Sequence, residues 1–183
     1  MGTICLIHTT SNKRNFLIAA SGAAVALVSG CGFRPLYGRK SFGEVDAELA
    51  RVKIGIVPDR VGQQLHNYLL DRINRKGRPK RPLYLLSVNV EIEKVRQAFE
   101  PDETATRAKL IFTANFELQE IMTEKILLKN WARSVNSYNI VTSAIATRSA
   151  ELDATDRAAR DVSEEIRSLL AMYFQRRSAE PKS

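Results

Sequence analysis

Hydrophobic residues recur with two different periods between residues 51 and 177, and these periods predict the secondary structure of one folded domain. Every second residue is apolar in two runs that begin at Tyr84 and Ala108, and a third, weaker alternation begins at Ile126. A period of two is typical of a strand with one covered face. A shorter run over 52–56 predicts a further strand. The run over 126–138 alternates less cleanly and is more polar, which favours an outer strand.

Two other stretches have apolar residues at spacings of three and four, as in a helix with one buried face. The first follows Pro58, with Asp59 as a candidate N-cap, and stops before Gly77. Its apolar face contains Val61, Leu65, Leu69 and Ile73. The second is a C-terminal helix that begins between residues 143 and 153. Its apolar positions are Ala159, Val162, Ile166, Leu169 and Tyr173.

The order strand, helix, three strands, helix predicts an α+β fold. The expected architecture is a two-layer sandwich, with an about four-stranded mixed sheet and two helices on one face. The opposite face of an antiparallel sheet can remain polar, so this face would be free to meet a partner. Its predicted members are Ser87, Asn89, Glu91, Lys109, Thr113, Asn115 and Glu117.

The N-terminal 30 residues have the order of an export signal: basic residues, an apolar stretch, then small residues. As a helix, the uncharged stretch 16–28 would be roughly 20 Å long, shorter than the roughly 30 Å membrane core. Residues 1–30 are therefore predicted to be a cleaved signal peptide. The string V-S-G-C resembles the box cut by lipoprotein signal peptidase, so Cys31 is the predicted lipidation site. The alternative is an ordinary export signal, in which Cys31 is present by chance and carries no lipid.

The pattern divides the rest of the chain into three parts. Residues 31–50 contain glycine, proline and mixed charge without a sustained period, which predicts a lipidated tether. Residues 51–177 form the predicted single domain, which is long enough to bury a core without disulfides. Residues 178–183 are predicted to be a flexible tail.

Composition and charge narrow the possible functions. Removing residues 1–30 subtracts two positive charges from the net charge of +8 and leaves +6, which indicates anionic partners. The remaining chain has one histidine, His66, no free thiol and no phosphate-binding loop. This inventory cannot supply a zinc site and offers no orienting partner for a catalytic histidine. We therefore predict a non-enzymatic protein without metal or cofactor.

Two sets of basic residues are candidates for anion binding. Six lie within ten residues at the end of the first helix: Arg72, Arg75, Lys76, Arg78, Lys80 and Arg81. Export excludes nucleic acid as their ligand and leaves lipid phosphates, with a solvated loop as the alternative. A looser set lies on or beside the strands: Arg96, Arg107, Lys109, Lys125, Lys129 and Arg133. Of these, Arg107, Lys109, Lys129 and Arg133 are the predicted binding residues for phosphate groups.

The string C-G-F-R-P-L-Y-G over residues 31–38 resembles the start of mature lipopolysaccharide-assembly lipoproteins of the LptE family, alphaproteobacterial type. The similarity continues through the predicted elements to about Phe174, with S-Y-N at 137–139 near the end of the last strand.

This resemblance implies a lipoprotein in the inner leaflet of the outer membrane. It would plug the LptD-type β-barrel that delivers lipopolysaccharide to the cell surface, assist assembly of that barrel and bind lipopolysaccharide. Gly32 after the lipidated cysteine fits outer-membrane sorting. The alternative is an auxiliary lipoprotein of an ABC-type lipid or solute transporter. A lipid-anchored hydrolase is a third reading, which loss of activity in His66→Ala would support.

Overall fold

Four strands and three helices make up the part of the chain that this computed structural model describes, residues 39–97 and 107–179. In chain order they are α1 Arg39–Leu49, β1 Val52–Ile54, α2 Arg60–Ile73, β2 Tyr84–Gln97, β3 Arg107–Glu120, β4 Ile126–Asn139 and α3 Ala144–Ala179. The predicted signal peptide, Cys31, most of the connection between β2 and β3, and the last four residues lie outside the described residues.

The strands form one mixed sheet in the order β1-β2-β3-β4. Strand β1 is parallel to β2, whereas β2, β3 and β4 are antiparallel neighbours. The predicted α+β fold with a four-stranded mixed sheet is therefore confirmed. Among the described strands, β1 pairs with residues 84–86 alone, so the rest of β2 is an edge of the described sheet. Ile92 and Val95 on that edge remain 36% and 38% exposed.

Strand β3 lies between two long partners, and its predicted alternation is confirmed position by position. The alternate residues that face the helices are at most 1% exposed: Ala108, Leu110, Phe112, Ala114, Phe116 and Leu118. A central strand with one covered face must place its apolar side chains on that face, because a slip of one residue would expose all of them.

Helices α2 and α3 pack against each other, and α3 lies over β3 and β4. The buried apolar residues of α2 are Leu65, Leu69 and Ile73, as predicted, but Val61 is only partly buried. On α3, Leu169 and Tyr173 are also only partly buried, and the next residues along, Leu170 and Phe174, enter the core.

The difference on α3 has a geometric cause. One line of its buried residues follows a strict spacing of four: Ala154, Ala158, Val162, Ile166, Leu170 and Phe174, with Thr155, Ala159 and Ser163 buried beside it. A helix has 3.6 residues per turn, so a spacing of four winds slowly around its axis. The buried side of α3 therefore turns around the helix and crosses the layer beneath it at an angle. The sequence prediction assumed an apolar face that runs straight along the helix, so it assigned the wrong residues at the C-terminal end.

Helix α1 is a departure from the predicted tether over 31–50. Val45 and Leu49 of this helix are buried in the core, and the Tyr84 hydroxyl donates to Glu48 Oε2 at 3.0 Å. The described part of this segment therefore packs as part of the domain. At the other end, α3 continues to Ala179, past the predicted boundary at 177.

Asp59 occupies the predicted N-cap position of α2, but its side chain makes no capping hydrogen bond. Its φ of 68° lies in the left-handed region, where the carboxylate is not placed as in an ordinary cap. Gln63 closes this end instead, since its side-chain amide donates to the Val57 carbonyl at 2.6 Å. Across the ranges 39–97 and 107–179, none of the helices is both long and apolar enough to cross a membrane.

Candidate functional site

The sheet surface opposite the described helices is the broadest polar surface that the three long strands share, and we call it the open face. It is formed by the residues that alternate with the core positions along β2, β3 and β4. Its central members are Ser87, Asn89, Glu91, Lys109, Thr113, Asn115, Glu117, Lys129, Trp131, Arg133 and Val135. The face is mostly polar, as expected from the sequence, and its apolar members include Ile111 of β3 and Trp131 and Val135 of β4.

All four predicted anion-binding residues lie on the open face and are exposed. Arg107 and Lys109 belong to β3, at the end next to the connection from β2. Lys129 and Arg133 belong to β4, where they lie opposite Glu117 and Thr113 of β3. The alternation of the strands thus places the four cationic groups on one side of the sheet.

The register also separates these cations along the sheet. Lys109 and Glu117 are eight residues apart on β3, which corresponds to about 27 Å at about 3.4 Å per residue. Lys129 lies beside Glu117 and is therefore far from Lys109. The four residues form a line of charge along the face, and a single phosphate cannot contact all of them.

Within residues 39–97 and 107–179, Lys129 is the member of this set of four that has an anionic side-chain partner. Its Nζ lies 2.5 Å from Glu117 Oε1, with the two side chains 75% and 38% exposed. An exposed pair of this kind contributes little to stability, but it cancels the charge of Lys129 locally. Anion binding at Lys129 would therefore require displacement of Glu117.

Trp131 is a residue of this face that the sequence analysis did not single out. It is 56% exposed and lies directly opposite Asn115, which in turn lies opposite Asn89. The neighbouring Ala132 is fully buried. Since side chains alternate along a strand, an inward assignment of Ala132 would have placed Trp131 on the outer side. The weak pattern of β4 hid this signal.

The other basic residues lie elsewhere. Arg72 bonds Glu164 on α3 at 2.9 Å, and the exposed remainder of its cluster follows in the loop between α2 and β2. Arg96 pairs with the buried Ala108 in the register of β2 and β3, so it lies on the helix side of the sheet. Lys125 is in the turn between β3 and β4. None of these extends the line of charge on the open face.

His66, the candidate considered for catalysis, bridges two elements of the fold. Its Nδ1 lies 3.0 Å from the Gly55 carbonyl oxygen, which ties α2 to the end of β1. This contact gives the histidine a structural role. Within residues 39–97 and 107–179, no three histidine, cysteine or acidic side chains are grouped so that they could hold a metal ion.

A polar network that the sequence analysis also missed joins α2 to α3. The Tyr68 hydroxyl and the Gln64 amide both donate to Asp156, and Arg160 forms an ion pair with the same carboxylate at 2.7 Å. The hydrogen bond from Tyr68 is the largest influence that lowers the pKa of Asp156, and Arg160 and Gln64 add to it against the opposing effect of burial. This network fixes the helix layer behind the sheet.

Comparison with known families identifies the origin of this fold. The LptE model, described as lipopolysaccharide-assembly, matches residues 49–170, about two thirds of the chain. The chain belongs to the LptE family. The match spans β1 through most of α3 and therefore includes every strand of the open face. The family resemblance inferred from the sequence is confirmed.

Individual relatives cover most of the chain. An uncharacterized protein of Rickettsia prowazekii is 26% identical over 153 residues, which cover 82% of this chain and 93% of that protein. A crystal structure of a candidate lipoprotein from Caulobacter crescentus has a TM-score of 0.59 at 20% identity and covers 73% of this chain and 97% of its own. The solution structure of an uncharacterized lipoprotein B from Nitrosomonas europaea has a TM-score of 0.50 at 14% identity, with coverages of 70% and 84%. At these identities, the two structures show that the fold is shared.

Proposed function

We propose that this LptE-family protein is a lipoprotein of the outer membrane that plugs and helps to assemble an LptD-type β-barrel and binds lipopolysaccharide on its way to the surface. Cys31 would carry the lipid anchor, and the domain would lie on the periplasmic side of the membrane. The role is one of binding rather than catalysis. The family assignment supports the general process, and the open face supports the specific mode of action.

The observation that carries this proposal is the open face itself. Three strands of 14 residues each present mostly polar side chains on the side of the sheet opposite the described helices, and the basic ones lie on β3 and β4. A water-lined barrel lumen is a suitable environment for such a polar surface. Exposed arginine and lysine along the face are suitable partners for the phosphates of lipopolysaccharide.

Affinity purification of the full-length lipidated protein from gently solubilised host membranes tests the partner. We expect one large outer-membrane β-barrel to be recovered in stoichiometric amount. Recovery of an inner-membrane permease without a barrel would contradict the proposal and support the auxiliary transporter role instead. A tagged outer-membrane lipoprotein of another family serves as the control for nonspecific recovery.

Charge reversal tests lipopolysaccharide binding by the open face. We expect the double variant Arg107→Glu, Lys109→Glu and the single variant Arg133→Glu to weaken binding at low salt, by about tenfold for the double variant, which corresponds to about 1.4 kcal/mol. Lys129→Glu should have a smaller effect because Glu117 already neutralises this lysine.

A matched control is Arg176→Glu, which reverses an exposed charge at the end of α3, outside both sets of candidate residues. This variant should bind lipopolysaccharide as the unmodified protein does. Unchanged affinity in the Arg107, Lys109 and Arg133 variants at low salt would count against the open face as the binding surface.

A further inference from the structure

A shallow groove of about 700 Å³ lies across β2, β3 and β4 near the middle of the open face. Two neighbouring rows of the strand register form its floor. One row contains Asn89, Asn115 and Trp131, and the next contains Ser87, Glu117 and Lys129. Adjacent strands are about 4.8 Å apart and the rows about 7 Å apart, so the floor is large enough for one or two sugar rings.

The side chains of the groove combine one aromatic surface with several hydrogen-bonding groups. Trp131 exposes 56% of its surface, and the electron-rich face of an indole attracts the polarised C–H bonds that cover one side of a pyranose ring. The amides of Asn89 and Asn115 each offer two donors and an acceptor. Such groups, placed around a mostly preformed site, are typical of small-molecule recognition.

The charge of the groove distinguishes it from the line of cations elsewhere on the face. Among the described residues that line it, the charged ones are Glu117 and Lys129. They form an ion pair at 2.5 Å, so their charges cancel. A phosphate would meet no net positive charge here and would lie close to a carboxylate. A neutral polyol can hydrogen-bond to both members of the pair without displacing either.

We propose that the groove formed by Trp131, Asn89 and Asn115 binds a neutral hexopyranose ring from the glycan of lipopolysaccharide. The ring would stack on Trp131 while its hydroxyl groups bond the two asparagine amides and the Glu117–Lys129 pair. This inference rests on the proposed function, and it divides the open face by chemistry. The sugar lies at the neutral groove, and phosphate groups lie at the exposed cations.

Binding at the groove can be followed by tryptophan fluorescence, because Trp131 is the single tryptophan of the chain. The full-length protein should be purified in a detergent without a sugar headgroup and titrated with the neutral oligosaccharide fraction of host lipopolysaccharide glycan, freed of lipid, phosphate and acidic sugars. Covering the indole should shift its fluorescence to shorter wavelength in a saturable manner. A dissociation constant of about 10 mM would already be very weak binding. Absence of saturable binding up to that glycan concentration would overturn the proposal.

Calorimetric titration of variants then locates the site. Trp131→Ala and Asn115→Leu should each weaken glycan binding by about tenfold or more, and Trp131→Phe should retain part of the affinity. Val135→Ala changes another exposed apolar residue of the same strand and face, two rows away, and should bind normally. Equal affinity in Trp131→Ala and the unmodified protein would overturn the assignment.

Salt separates sugar binding from phosphate binding. Affinity for the dephosphorylated glycan should change by less than about twofold between about 50 and about 500 mM salt, since screening acts on charges. A steep loss of affinity with salt would contradict the neutral groove. Neutral dextran oligosaccharides provide a comparison ligand, and binding as tight as that of the lipopolysaccharide glycan would overturn the assignment to lipopolysaccharide.

Failure of sugar binding at the groove can be distinguished from failure of the proposed function. If the glycan does not bind but Trp131→Ala abolishes recovery of the barrel, the groove is a protein interface and the sugar inference is wrong. If no barrel is recovered with the unmodified protein, the proposed function fails, whatever the glycan does. Retention of the barrel by Trp131→Ala, together with loss of glycan binding, is the result that supports the inference.

Discussion

Tyr68 and Asp156 show how single polar residues hold the helix layer of this domain in place. The Tyr68 hydroxyl donates to Asp156 and accepts a hydrogen bond from Arg160 Nε at 3.1 Å, so one side chain links α2 to two residues of α3. Hydrogen bonds to a charged group contribute more than neutral ones, about 1.5–3 kcal/mol. The network is therefore a source of stability that hydrophobic patterning does not reveal.

This network predicts a pH-dependent stability. The pKa of Asp156 is lowered in the folded protein, so below the ordinary aspartate pKa of about 3.9 the unfolded chain binds its proton first. The stabilisation is complete above that pH and is lost as the pH falls through the lower folded value. We expect Asp156→Asn to reduce the free energy of unfolding by about 1–3 kcal/mol at neutral pH. Urea unfolding at a series of pH values should show the difference from the unmodified protein shrinking below about pH 4.

The matched control is Asp153→Asn, which removes an exposed carboxylate that pairs with Arg157 one turn along the same helix. An exposed pair of this kind contributes less than about 1 kcal/mol, so stability should change little. A difference of equal size in the two variants, or one that persists below the folded pKa of Asp156, would contradict the role of the network.

At the scale of elements, the long central strand was the part most readily predicted from sequence. Its period of two extends over the full length of β3, and all six predicted core positions are buried. Strand β4 was less predictable because an edge strand has only one neighbour and tolerates polar residues on both faces. Helix α1 was missed because Val45 and Leu49, its described core contacts, give no sustained period.

The packing of α1 against the core should contribute to the stability of the domain. Leu49 is 2% exposed, so Leu49→Ala should lower the free energy of unfolding by about 2–5 kcal/mol. The control is Leu152→Ala, since Leu152 of α3 is 41% exposed and should tolerate truncation with little effect. Denaturant unfolding measures both, and a change at Leu49 within about 0.5 kcal/mol would mean that α1 behaves as a detached tether.

Replacement of glycine by alanine should have opposite effects on the free energy of unfolding at two helical positions. A Cβ on Gly62 of α2 would lie 2.6 Å from Val57 Cγ1 and 3.2 Å from the Val57 carbonyl carbon, so the backbone must move. We expect Gly62→Ala to lower the free energy of unfolding by about 1–3 kcal/mol, less any gain in helix propensity.

Gly43 of α1 is the matched control, because its added Cβ would meet nothing within 4 Å. Gly43→Ala should raise the free energy of unfolding by up to about 1 kcal/mol through helix propensity alone. Thermal unfolding of both variants checks the contrast, and stabilisation by Gly62→Ala would show that α2 does not pack so closely against Val57.

At the scale of the whole molecule, attachment to the membrane is predicted to depend on one residue outside the described structure. Cys31→Ala should abolish incorporation of labelled palmitate, because the thiol that would carry the lipid is absent. Cys5→Ala is the matched control, since Cys5 lies in the predicted signal peptide and the chain has two cysteines. Metabolic labelling followed by immunoprecipitation gives the result, and labelling of Cys31→Ala equal to that of the unmodified protein would contradict the anchor.

The sequence by itself determined the types and order of the main elements, the polar character of the open face and the family. These depend on periods within short segments and on local strings of residues, so no distant contact is needed to read them. Alternation alone placed Arg107 and Lys109 on the outward side of β3.

The tertiary structure decided which outward residues are neighbours. The register between β3 and β4 brings Glu117 to Lys129 and Asn115 to Trp131, and a shift of one residue would separate both pairs. That register, like the packing of α1 and the link from Tyr68 to Asp156, depends on the simultaneous fit of segments far apart in the chain. The line of cations was therefore open to prediction from sequence, whereas the neutral groove within it was not.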